Sequence, residues 1–191
     1  MKTRIAIFAS GSGTNAEQIM KYFSDHPNIE VASLLSNKKE AGVLERARMF
    51  EVETMVFKKE EFRDDTSVLD WLKERQVDVI VLAGFLLLVP SYFVSAFKGR
   101  MINIHPALLP KYGGKGMFGI HVHEAVKAAG DSETGITIHM VNEHFDEGEI
   151  VFQTKCEISG SDSPDDIADK VHELEHQHFP RVIEEWINTL K

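Results

Sequence analysis

The segment from Val77 to Gly84 is apolar at nearly every position, and a run of this length closed by a glycine reads as a strand buried on both faces. Such a strand needs helices on either side of its sheet, and the neighbouring chain offers them. Thr66 to Arg75 predicts a helix with Val68, Leu69, Trp71 and Leu72 available for burial, and Pro90 to Phe97 predicts another. Upstream the alternation repeats. Arg4 to Ala9, Ile29 to Leu35 and Val52 to Phe57 predict strands; a helix starts near Thr14, and Glu40 to Phe50 predicts a helix carrying Val43, Leu44, Ala47 and Met49. Arg100 to Ile104 predicts a further strand that ends at His105-Pro106. Strands and helices in strict alternation imply right-handed crossovers and a parallel sheet.

The second half reads differently. Gly135 to Asn142 alternates Ile136, Ile138 and Met140 against Thr137, His139 and Val141, and Ile150 to Ile158 is strand-like, so the two predict added strands, at least one antiparallel. Ser163-Pro164-Asp165-Asp166 is a strong helix start, with a capping serine, proline at the first helical position and acids in the first turn. That helix is expected to run to about Leu190, bent or split at Pro180. The expected class is α/β: a three-layer, mostly parallel Rossmann-like sheet with an antiparallel C-terminal strand pair and a long C-terminal helix, residues 1–191 forming one domain.

Composition narrows function. The chain has 21 basic and 30 acidic side chains, a formal charge of −9, so it lacks the general basic footprint of a nucleic-acid binder. No apolar run approaches the roughly 20 residues that cross a bilayer. The single cysteine, Cys156, has no internal disulfide partner and is expected to be buried and inert, and the opening Met-Lys-Thr-Arg lacks a signal-peptide pattern. A cytoplasmic location is expected.

Three constellations could carry chemistry. Gly11-Ser12-Gly13-Thr14-Asn15-Ala16 lies between the first strand and first helix and fits a dinucleotide fingerprint, but the second strand ends in Ser36-Asn37-Lys38-Lys39 without the ribose-binding acid. What remains is either a phosphate cradle of free backbone N–H groups at a helix start, aided by Ser12 and Asn15, or a turn that needs glycine for conformation alone. Asn103-Ile104-His105-Pro106 delivers an amide and an imidazole at the carboxyl end of a strand, where open α/β sheets bind ligands. That pair suits oxyanion stabilisation with proton movement, although a histidine capping a strand also serves as a plain hydrogen-bonder. Phe145-Asp146-Glu147-Gly148 is turn chemistry with a carboxylate in it. His121-x-His123, and His172-x-x-x-His176 with His178, have spacings that could hold a metal, but no acidic third ligand accompanies them, and no metal is expected.

Four segments in register, Ser10 to Asn15, Leu82 to Phe85, Asn103 to Pro110, and Gly135-Ile136-Thr137 through Asp146-Glu147-Gly148, resemble the phosphoribosylglycinamide formyltransferase family over nearly the whole chain. The resemblance implies a single formyltransferase domain with a nucleotide- or phosphate-binding half (1–100) and a catalytic and folate-binding half (101–191). It implies transfer of a formyl group from the cosubstrate 10-formyltetrahydrofolate to the glycine amine of phosphoribosylglycinamide, in a monomer or homodimer with small-molecule partners only. Asn103, His105 and Asp146 would be the catalytic set, with His139 in support. Gly11, Ser12, Gly13, Thr14 and Asn15 would hold the acceptor's ribose phosphate, and Glu175 its glycine end. Arg63 would lie near the ligands, and Leu86, Leu87, Leu88, Val89, Val141 and Phe145 would build an apolar slot for the pterin ring. Related tRNA-directed transferases and formyl-folate hydrolases usually carry a further domain.

Three features depart from the family pattern. Lys111 to Gly119 is longer and richer in glycine than the usual connection and reads as a mobile flap. Leu87 stands where some members carry a basic residue, and Met140 replaces an aromatic or smaller residue.

Overall fold

A computed structural model describes residues 2–190. The chain divides into two compact units, Met1–Ile102 and Asn103–Lys191, with the division inside one strand. The elements of the first unit are β1 (Thr3–Phe8), α1 (Thr14–Phe23), β2 (Ile29–Ser36), α2 (Val43–Met49), β3 (Glu53–Val56), α3 (Lys59–Asp64), α4 (Ser67–Glu74), β4 (Val79–Leu82) and α5 (Ser91–Ala96). After β5 (Met101–His105), the second unit holds α6 (Ile120–Ala129), β6 (Glu133–Met140), β7 (Ile150–Glu157) and α7 (Pro164–Thr189). The seven strands form a mostly parallel sheet in the order β3-β2-β1-β4-β5-β6-β7.

In the first unit β1 pairs in parallel with both β2 and β4, and β2 with β3. Ile5, Ala6, Ile7 and Phe8, like Val79 to Leu82, are buried, as continuous apolar runs require. Phe8 sits at the centre of an aromatic cluster, with the rings of Phe57, Phe62, Phe85 and Phe93 at centroid distances between 5.3 and 6.0 Å. Phe62 belongs to α3, a six-residue helix too short to show a periodic pattern in the sequence.

In the second unit β6 and β7 are antiparallel, with a register shift between Ile138 and His139. Both faces of β6 are buried from Thr134 to His139, so its alternation of apolar and polar side chains separates core from site rather than core from solvent. The sequence reading also omits α6; its sparse apolar stripe is Val122 and Val126, interrupted by a buried His123. α7 begins as expected, with the Ser163 hydroxyl accepting from the Asp166 N–H and Pro164 at its first position. It is not split at Pro180. The helix runs on to Thr189 because Pro180 is itself buried, and Phe179, Val182, Ile183, Trp186 and Ile187 bury their side chains around it. That burial outweighs the missing N–H, which costs about 3 kcal/mol in an exposed helix. No helix among the described residues is long and apolar enough to cross a membrane.

Candidate active site

β5 presents Asn103 and His105 two residues apart, on one face of the strand. The chain beyond them is held by a buried threonine on β6. The Thr137 hydroxyl donates to the Ala107 carbonyl at 2.7 Å and accepts from the Leu109 N–H at 3.0 Å, while Gln153 Nε2 donates to the same oxygen at 2.8 Å. Those bonds fix the segment after His105 against the β6–β7 hairpin.

The hairpin carries the third group. Asp146 adopts φ 57°, a left-handed conformation that aspartate tolerates better than most residues and that turns its side chain back over the strand ends. Gly148 permits the return: a Cβ there would lie 1.6 Å from the Met140 carbonyl oxygen. The carboxylate then gathers the site. Asp146 Oδ2 lies 3.5 Å from His105 Nδ1 and accepts from the Gly114 N–H at 2.9 Å; Oδ1 lies 3.5 Å from both His139 Nε2 and Asn103 Nδ2. The amide, the imidazole and the carboxylate expected from two distant stretches of sequence are therefore in contact.

The second partner of each imidazole sets its tautomer. His139 Nδ1 faces its neighbour's carbonyl, Met140 O, at 2.9 Å and donates there, which leaves Nε2 to face Asn103 Nδ2 at 3.1 Å and Asp146 Oδ1 at 3.5 Å. His105 Nε2 faces the Tyr112 carbonyl at 2.7 Å, so Nε2 carries the proton and Nδ1 is the bare nitrogen of the neutral ring. Burial, at 3% exposure, pushes the His105 pKa below its ordinary value; the nearby Asp146 carboxylate and the Tyr112 carbonyl offset only part of this. For Asp146, burial alone would raise the pKa, but His139, His105 and the Gly114 N–H together hold the carboxyl below its ordinary range. The resting pair is a neutral imidazole beside a carboxylate.

Tyr112 and Gly114 escape the sequence reading because they belong to the segment read as a mobile flap. That segment is tethered in its first half, where Tyr112 and Gly114 bond His105 and Asp146. The left-handed φ of 57° at Tyr112, which no residue pattern signals, aims its carbonyl.

In the first unit, Gly13 caps α1 with φ 78°, no side chain caps the helix start, and Ser12 is exposed. Thr14 and Asn15 open the helix. The loop is braced from behind: Arg46 Nε donates to the Ser12 carbonyl at 2.9 Å, and Ser10 Oγ donates to Asn37 Oδ1 at 2.6 Å. A cavity of about 560 Å³ adjoins it, lined by Ser10, Gly11, Ser12, Asn37, Lys38 and Lys39 among others. Gly13 is required by packing as well, since a Cβ would fall 2.2 Å from Val43 Cγ2.

The remaining expected residues divide by exposure. Leu86 and Leu88 expose their side chains at 38% and 46%, Leu87, Val141 and Phe145 are half-buried, and Val89 is in the core. Arg63 lies exposed on α3, bonded through Nε and Nη2 to Asp64 at 2.8 and 2.6 Å. Glu175 is buried on α7, with His172 Nε2 at 3.9 Å. Cys156 is half-buried rather than buried, because alternate residues of β7 face solvent, and desolvation pushes its thiol pKa up. Among the described residues no group of three or more His, Cys, Asp or Glu side chains is arranged to hold a metal ion.

Against known families, residues 3–183 match the model described as formyl transferase. The chain belongs to the formyl transferase family. Among its relatives is a chloroplastic phosphoribosylglycinamide formyltransferase of Arabidopsis thaliana, 40% identical over 95% of this chain and 64% of the relative. Another is the phosphoribosylglycinamide formyltransferase of Haemophilus influenzae, 37% identical over 94% of this chain and 85% of the relative. The chain spans less than two thirds of the plant relatives' length, 64% and 60% in the two matched. A solved formyl transferase, phosphoribosylglycinamide formyltransferase from Bacillus halodurans, superposes with a TM-score of 0.88 at 35% identity, covering 99% of this chain and 97% of that one.

Proposed function

We propose that this formyl transferase moves the formyl group of 10-formyltetrahydrofolate to the glycine amine of 5'-phosphoribosylglycinamide, a step of purine (IMP) synthesis. The observation that carries the reading is the convergence of Asn103, His105 and Asp146 around one carboxylate, with neutral His105 presenting Nδ1 beside it. The names of the bacterial and plant relatives support the choice of acceptor.

In this reading the amine attacks the formyl carbon; a C–N bond forms and the carbonyl electron pair moves onto oxygen. Asn103 Nδ2 donates to that oxyanion, a role worth about a hundredfold or more in turnover at comparable sites. The new ammonium releases a proton to His105 Nδ1, which burial keeps deprotonated and ready to accept it, and Asp146 stabilises the imidazolium so formed. The same proton then passes to the departing folate nitrogen as its C–N bond breaks, and the neutral imidazole returns. His139 orients the Asn103 amide. The glycine turn, with its uncapped helix start, holds the acceptor's phosphate, and the exposed Leu86 and Leu88 offer apolar surface to the pterin ring. Glu175 would contact the glycine end of the acceptor, and Arg63 the folate.

A single assay tests this: folate absorbance is followed after mixing protein and 10-formyltetrahydrofolate with and without phosphoribosylglycinamide. Turnover that requires the acceptor is expected. Equal turnover without it would make the protein a hydrolase, and none in either case would remove the reading.

A further inference from the structure

We propose that Tyr112 and Asp131 form a positioning pair that fixes the tautomer of His105, the Tyr112 carbonyl holding the Nε2 proton while the Tyr112 side chain is locked to Asp131. The inference rests on the formyl-transfer reading above, in which the bare Nδ1 of His105 takes the proton.

The two ends of Tyr112 do different things. Its carbonyl accepts from His105 Nε2 at 2.7 Å, and its φ of 57° is what points that carbonyl at the ring. A tyrosine at positive φ is an uncommon and strained conformation, retained where surrounding contacts over-determine it. Those contacts are visible. The phenol donates to Asp131 Oδ2 at 2.8 Å, and Lys111 Nζ, from the adjacent residue, donates to the same carboxylate at 3.2 and 3.3 Å. The ring packs against the buried cluster of Val126, Ile158 and Ile167. Two residues on, the Gly114 N–H bonds Asp146, so the same short segment touches both members of the His–Asp pair. A Cβ at the intervening Gly113 would come within 2.6 Å of Leu109 Cδ2 and 3.3 Å of Asp146 Cβ, which is why the segment can lie this close.

The consequence concerns which nitrogen is reactive. With Nε2 committed to Tyr112, the neutral ring has only Nδ1 to offer, and Nδ1 is the nitrogen beside Asp146. If the carbonyl drifted, the neutral ring would gain by moving its proton to Nδ1 and donating to the carboxylate, leaving no base on the Asp146 side. The groups that act on His105 are Asp146 from the hairpin turn, the Tyr112 carbonyl, and His139 from β6; the charge of His105 in turn acts on His123 of α6.

The test uses Tyr112→Phe, which keeps the packing ring, together with Asp131→Ala, Asp131→Asn and the double variant Tyr112→Phe/Asp131→Ala. The first readout needs no substrate: ¹⁵N NMR of His105 in the ligand-free protein at neutral pH. The wild type is expected to carry its proton on Nε2, and Tyr112→Phe to show a mixture of the two tautomers. The second is kinetic. Tyr112→Phe and Asp131→Ala should each lower kcat by about tenfold, a fraction of what a positioned base contributes, with KM for the acceptor changed less than twofold. The double variant should be no worse than either single one, and Asp131→Asn, which still accepts from the phenol, should recover most of kcat. Folding is checked by melting temperature. An Nδ1-protonated wild type, or tautomer and kcat unchanged in Tyr112→Phe, would overturn the inference. So would a rise in kcat/KM in Tyr112→Phe, which would make the carbonyl a plug that substrate must displace. A wild type that transfers no formyl group would instead sink the functional reading, whatever the NMR shows.

Discussion

His105 and His123 are both buried imidazoles whose pKa is pushed down, and each gives a pH signature of opposite use. In the proposed transfer His105 must be neutral to accept a proton, so kcat/KM should rise with pH through its free-enzyme pKa, which lies below the ordinary 6.5. Asp146→Asn removes the charge that partly holds that pKa up, so the limb should shift to lower pH while the plateau falls. An unmoved limb would mean another group governs it. His123 is 2% exposed on α6, its Nδ1 is buried without a hydrogen-bond partner, and burial pushes its pKa to about 4, with His172 and His105 adding to the shift. A histidine depressed on folding stabilises the native state fully above its unfolded pKa and loses that contribution as pH falls toward the folded value. Between pH 7 and 4.5 this amounts to about 2–3 kcal/mol. Urea unfolding should show wild type losing stability over that range, and His123→Leu losing less by about that amount; parallel losses would contradict the account.

At the scale of elements, the glycine turn shows how packing and backbone conformation share a residue. Gly13 meets Val43 of α2 where a Cβ would stand, and its φ of 78° is itself unfavourable for any other residue by about 1–2 kcal/mol. Gly13→Ala should therefore destabilise by more than backbone strain alone. Val43→Ala removes Cγ2 but leaves Val43 Cβ and Cα 2.4 and 2.8 Å from where that Cβ would stand, so in the same chain it should recover only a part of the clash and none of the strain; a urea double-mutant cycle measures this, and full recovery would deny the backbone approach. Elements with a distinct local signal were legible: the continuous apolar run of β4, only four residues long, and the capped start of α7. α3, at six residues, was not, nor was α6, whose buried face includes a histidine. The split expected at Pro180 did not occur because propensity speaks of isolated helices, and α7 is held by burial on both sides of the proline. In the site, Asn103, His105 and Asp146 could be read from residue type and resemblance. Tyr112 and Gly114 act through backbone groups at special dihedrals, and side-chain chemistry in a sequence does not display those.

For the molecule as a whole, the second unit brings Asn103, His105 and His139 together around the Asp146 carboxylate, with the Tyr112 carbonyl facing His105. The first unit contributes a braced glycine turn with an open helix start. The central claim is that the amide and the carboxylate work as one device on one reacting carbon. Groups that act as a unit are strongly non-additive when removed together. The direct measurement is the single-turnover rate of formyl transfer to phosphoribosylglycinamide for wild type, Asn103→Ala, Asp146→Asn and the double variant. Each single change should cost about a hundredfold or more, and the double variant far less than the product of the two. Single variants within threefold of wild type, or losses that simply multiply, would contradict the claim.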